Sequence, residues 1–97
     1  MNLLEGTVRA GRFIGPVEWP VEAREGPAVL GVRPEDLSLG EGAWEGTVEV
    51  VENLGAEAYV HVRVGALLLT LRLEREEAPA AGTSVRLQPR RVHLFPR

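Results

Sequence analysis

From Thr47 to Val64 the chain alternates apolar and polar residues in two successive runs. Val48 and Val50 alternate with Thr47 and Glu49, and Ala58, Val60, Val62 and Val64 alternate with Glu57, Tyr59, His61 and Arg63. A period of two is that of a strand with one buried face. The two runs meet at Asn53-Leu54-Gly55, which predicts a hairpin with Asn53 and Gly55 suited to positive φ in its turn. Leu67, Leu69, Leu71 and Leu73 then alternate with Leu68, Thr70 and Arg72, the clearest half-buried strand in the chain.

The remaining segments are shorter but read the same way. Residues 3–10 predict a first strand, with Gly11-Arg12 turning into Phe13-Ile14. Val17, Trp19 and Val21 alternate with Glu18 and Pro20, and the proline, which has no N–H to give a ladder, assigns this run to a sheet edge. Residues 22–26 are polar and loop-like. Val29 to Arg33 is a strand stopped by Pro34, and Pro34-Glu35-Asp36-Leu37 suits a tight turn or a single 3₁₀ turn. Gly40-Glu41-Gly42 predicts a flexible joint. Residues 74–82 form a loop, since Pro79 interrupts a run already too short for a stable helix. Val85 and Leu87, then Val92 and Leu94, predict two last strands broken at Pro89, with His93 and Phe95 turned outward. No segment keeps a helical period over three turns.

Two parts of the chain resemble each other. Glu5-Gly6-Thr7-Val8 recurs as Glu45-Gly46-Thr47-Val48, and VRPEDLSL at 32–39 is similar to LQPRRVHL at 87–94, with Pro34 matching Pro89. Matched elements in matched order predict two related halves, 1–40 and 41–97, of a single domain. Short strands every eight to twelve residues fit an all-β, OB-like small barrel with little or no helix.

Composition narrows the chemistry. The 97 residues suffice for one modest core. Cysteine is absent, which excludes disulfides and thiolate metal sites. Lysine is absent too, which excludes a phosphate-binding P-loop and a Schiff-base nucleophile. A net charge of −3 with interspersed signs offers no basic stripe to a nucleic acid. The opening MNLLEGTV lacks the basic start and apolar stretch of a signal peptide, and a cytoplasmic location is expected.

GVRPED at 31–36, VEVVENLGAEAYVHV at 48–62 and HLF at 93–95, in this order, resemble the C-terminal TOBE (transport-associated OB) domain of maltose- and multiple-sugar-type ABC importer ATPases. The resemblance covers essentially the whole chain. It implies a non-catalytic regulatory and dimerisation domain acting as a hinge between two ATPase subunits. The implied partners are a second copy of the domain, the ATPase domain of the parent chain and, in some relatives, a regulatory protein. The membrane is reached only indirectly, through the permease. The sequence departs from the family's full-length ATPases in having no Walker A, signature or Walker B segment, so no catalysis is expected of it. ATP and magnesium would belong to the nucleotide-binding domain, with no cofactor here.

Candidate contact residues follow from the pattern. Arg33 and Glu35 flank Pro34 and suit either an ion pair across the corner or simple capping of neighbouring backbone groups. Glu52 and Glu57 bracket the central turn. Tyr59, His61 and Arg63 share a polar strand face with Glu57, and His93 precedes Phe95 near the end. Two histidines without a third aligned ligand make a poor metal site. Phe95 suits a subunit contact if exposed, or a core role if it folds under the first strand.

Two other functions compete with the regulatory one. A small-ligand module for an oxyanion or sugar would use Arg33, Arg90 and Arg91 for charge. An oligonucleotide-binding domain would stack bases on aromatics in a basic groove, which five aromatics and an acidic balance do not favour.

Overall fold

A computed structural model describes all 97 residues, as nine strands and two single 3₁₀ turns. The strands are β1 (Asn2–Arg9), β2 (Arg12–Ile14), β3 (Glu18–Pro20), β4 (Gly26–Val32), β5 (Leu37–Leu54), β6 (Glu57–Val64), β7 (Leu67–Glu74), β8 (Ser84–Pro89) and β9 (His93–Pro96). One 3₁₀ turn covers Pro34–Asp36, where proline pre-sets φ, and the other Arg75–Glu77. The fold is all-β and OB-like, and its ladders form two antiparallel sheets rather than one closed barrel.

The sheet orders are β3-β2-β1-β4-β9 and β7-β6-β5-β8. Without β9, the two sheets have the same plan: a strand paired with the next, that one with a third, and the fourth returning beside the first. The repeated letters occupy matching places in this plan. Gly6 lies against the Ile14 carbonyl of its neighbour, and a Cβ on Gly46 would stand 2.6 Å from the Arg63 carbonyl. Both glycines are where a side chain would strike the adjoining backbone.

The halves then exchange arms. After the Pro34 corner, Leu37–Leu39 pair with Leu87–Pro89 of β8, and after Pro89, β9 pairs with β4. The corners themselves touch, through Arg90 N–H donating to the Asp36 carbonyl at 2.7 Å and the Arg90 guanidinium donating to the Glu35 carbonyl. Each sheet is thus closed by residues from the other half.

One apolar core of 14 buried residues joins the sheets, drawing Leu4, Phe13 and Leu30 from one and Val60, Val62 and Leu71 from the other. No polar or charged residue is fully buried. Two polar ties cross between sheets: Trp44 Nε1 donates to the Glu18 carbonyl at 3.1 Å, and the Asn2 carboxamide bonds the backbone of Thr70. Trp44 also meets Trp19 edge to face, with ring centroids 5.8 Å apart.

Several local expectations need correction. The first turn is Ala10-Gly11 with both φ positive (51° and 76°), a I′ pattern, and Ala10 N–H donates to the Glu25 carboxylate at 3.0 Å. The central turn is Gly55-Ala56, where Gly55 alone has positive φ (85°), and Asn53 stays in β5 opposite Ala58. Val50 does not follow Val48 inward, because a bulge between them reverses the alternation: Val50 is 49% exposed and Val51 turns toward the core instead. Gly40-Glu41-Gly42 lies within β5, where Leu87 opposes both Leu39 and Trp44 across the irregularity. His93, placed outward by alternation, is half-buried, with Nε2 enclosed and lacking a hydrogen-bond partner.

Candidate functional site: the outer face of the second sheet

The cross-strand register of β5, β6 and β7 builds a polar outer face. Val50, His61 and Thr70 lie in one row, and Glu52, Tyr59 and Arg72 in the next. The turns at Gly55-Ala56 and Gly65-Ala66 fix that register, since each joins its strands with two residues. Glu52, Glu57, Tyr59, His61 and Arg63 are thereby brought together as the sequence suggests.

Their charges are satisfied among themselves. Arg63 bonds Glu49 through Nε and Nη2 at 2.5 and 3.2 Å, and Arg72 bonds Glu57 through Nε and Nη2 at 3.0 and 2.7 Å. Both are two-pronged pairings that match the planar guanidinium fork to a carboxylate. The hydrogen bonds from Arg63 and Arg72 hold the Glu49 and Glu57 carboxyls below the usual carboxylate range, and the arginines are raised in turn.

His61 sits inside a short relay. Its Nε2 is 2.5 Å from Glu52 Oε1 and its Nδ1 is 3.0 Å from Thr70 Oγ1. An ionised carboxylate only accepts, so Nε2 carries a proton, and in the neutral ring Nδ1 accepts from the Thr70 hydroxyl. Hydroxyl, imidazole and carboxylate in line is the order of a hydrolase triad. Here it lacks a place for substrate: none of the three surface grooves is lined by His61 or Thr70, and the Thr70 backbone is held by Asn2.

Other candidates lie elsewhere. Arg33 and Glu35 are exposed at the first corner and make no ion pair with each other; the Arg33 carbonyl accepts from Asp36 N–H at 2.9 Å. Phe95 is 47% exposed on the far sheet, and His93 lies in the same strand. The largest groove, about 780 Å³ and open, includes Arg63 and Arg86, whose charges are already answered by Glu49 and Glu45. An anion would have to displace those carboxylates. No three His, Asp or Glu side chains converge as a metal-binding group.

Sequence reasoning missed Glu49, Thr70, Arg72 and Asn2. The Gly65-Ala66 turn carried the signal for two of them, since pairing the strands across it sets Tyr59 opposite Arg72 and His61 opposite Thr70. Glu49 was hidden by the bulge and Asn2 by its distance along the chain.

A two-sheet β module with a single shared core, whose polar face is closed by its own ion pairs, belongs to the class of non-catalytic accessory domains. The family model described as TOBE domain matches residues 30–95, and the chain belongs to that family, a non-catalytic module of ABC ATPases. It is similar to the sn-glycerol-3-phosphate import ATP-binding protein UgpC of Salmonella typhi, with 38% identity over 109 residues covering 98% of this chain and 31% of that protein. It is also similar to the maltose/maltodextrin import ATP-binding protein MalK of Yersinia pestis bv. Antiqua (strain Antiqua), with 37% identity over 73 residues covering 68% of this chain and 20% of that protein. The chain thus spans a third or less of the length of these relatives. No helix in it is long and apolar enough to cross a membrane.

Proposed function

We propose that this chain is the regulatory domain of the ATP-binding subunit of an ABC sugar importer, and that it pairs with a second copy to serve as a non-catalytic hinge. The observation that carries the reading is the match of a TOBE family model to residues 30–95, supported by similarity to two import ATP-binding proteins. The architecture suits a hinge, because two sheets locked by exchanged arms and one core, 41 Å long and about half as wide, transmit a rotation without absorbing it. In this reading the domain requires no cofactor, ATP and magnesium belong to the nucleotide-binding domain, and the working location is the cytoplasmic side of the membrane beside the permease.

The test is replacement. The chain is fused to an import ATP-binding subunit in place of that subunit's own TOBE domain, and transport-coupled ATP hydrolysis is measured in the reconstituted importer. Coupling retained above the level of a subunit lacking the domain supports the proposal. Hydrolysis no better coupled than in the truncated subunit overturns it. Calorimetry with molybdate, sulfate and sugars addresses the small-ligand alternative, for which saturable heat is required.

A further inference from the structure

Met1, Leu3 and Phe95 are 53, 59 and 47% exposed, and they meet at one spot. A Cβ placed on Gly31 would stand 2.6 Å from the Met1 sulfur, 3.0 Å from the Phe95 ring and 3.5 Å from Leu3 Cδ2. The register explains the convergence. Leu3 lies opposite Gly31, while Glu5 and Phe95 flank Val29, so the three apolar side chains cover a position that has none. A contiguous apolar cluster on an outer sheet face marks a contact surface more strongly than scattered exposed leucines do.

The border of the cluster bears on what covers it. Glu5 and Arg97 pair at 2.7 Å, and both are more than half exposed, at 71 and 60% of their side-chain surface. Apolar centre, one carboxylate and one guanidinium together make a surface that is neutral and carries both signs. Nucleic acid or an anionic membrane calls for net positive charge instead. A two-fold axis sets apolar against apolar and brings Glu5 of one copy to Arg97 of the other, twice over, which is the self-complementarity an isologous interface requires. The patch also lies at an open margin, because β9 is the last strand of its sheet and has a strand neighbour on one side only.

We infer that the Met1–Leu3–Phe95 patch, with Glu5 and Arg97 at its border, is where two copies of this chain meet. This rests on the regulatory, self-pairing reading above and assigns its surface.

The test exploits the charge symmetry. By sedimentation equilibrium, Glu5→Arg and Arg97→Glu each weaken self-association of the chain by about tenfold or more, while an equimolar mixture of the two forms a heterodimer, since one copy then presents two arginines and the other two glutamates. Pairing within a single copy gives no such rescue. Leu3→Ser and Phe95→Ser weaken association to a similar degree, with circular dichroism confirming the fold. A dimer indifferent to all four variants overturns the inference and leaves the functional reading intact. Variants that weaken binding to an ATP-binding subunit but not self-association also overturn it, by assigning the patch to that partner. A chain that is monomeric throughout overturns the inference and the self-pairing half of the functional reading together, while the replacement experiment still judges the remainder.

Discussion

The Asn2 carboxamide pairs with the backbone of Thr70 as a neighbouring strand would: Thr70 N–H donates to Asn2 Oδ1 at 2.8 Å, and Asn2 Nδ2 donates to the Thr70 carbonyl at 2.9 Å. The same Nδ2 also reaches the Val32 carbonyl at 3.1 Å. Residues 68 positions apart are thereby joined, and the exposed edge of β7 is capped at its middle. Asn2→Ala leaves these part-buried backbone groups without their partner and is expected to destabilise the fold by about 1–2 kcal/mol in urea unfolding. Asn2→Asp keeps the acceptor but sets a carboxylate beside two carbonyls, so its loss should be no smaller. An unfolding midpoint unchanged in both variants would show the tie to be idle.

Adjacent leucines provide a sharp measure of strand parity. Leu69 is 2% exposed and Leu68 44% exposed. Leu69→Ala is expected to cost about 2–5 kcal/mol through lost burial and the cavity left behind. Leu68→Ser should stay within about 0.5 kcal/mol of the parent. Equal losses at both positions would contradict the register of β7 against β6.

The lowered carboxyls make a pH prediction. Because Glu49 and Glu57 are held below the usual range when folded, by Arg63 and Arg72 respectively, their contribution to stability is complete above the unfolded carboxyl pKa. It is lost as pH falls through the folded values. Carboxyl NMR titration should place both midpoints below those of unpaired glutamates, with Arg63→Gln and Arg72→Gln each returning its own partner to the ordinary range. Both pairs are solvent-exposed, so added salt should shrink the displacement. Midpoints that ignore the arginine substitutions would refute the assignment.

Gly6 and Gly46 test the equivalence of the halves. Each lies against a carbonyl of the neighbouring strand, Ile14 in one sheet and Arg63 in the other. Alanine at either position should cost about 1–3 kcal/mol by forcing the strands apart, and the two losses should be similar. Thermal unfolding of the single variants provides the comparison, and a neutral alanine at one position alone would break the parallel.

Strand identity was legible where burial on one face alone set the pattern. Ala58, Val60, Val62 and Val64 are all buried, as their alternation requires, and Pro20 stands in an edge strand. The alternation misled at Val50, because a bulge inserts a residue without changing residue type, and no local preference marks it. Asn53 misled for a different reason: it is a good turn residue, but Gly55-Ala56 closes the hairpin in two residues and leaves Asn53 in the ladder. Part of the candidate face was legible, since Glu57, Tyr59, His61 and Arg63 alternate on one strand. Their hydrogen-bond partners come from β5 and β7, and only cross-strand register supplies those.

What this sequence determined by itself is a lysine-free, cysteine-free all-β chain of two similar halves, with the TOBE family's letters spread through both. Those are properties of composition, period and order, each readable over a few neighbouring residues. The tertiary structure alone decided that the halves exchange β9 and the Leu37–Leu39 arm, that Asn2 reaches Thr70, and that Met1, Leu3 and Phe95 meet over Gly31. Each of those depends on which distant strands become neighbours, a choice made by burying one shared core rather than by any local preference.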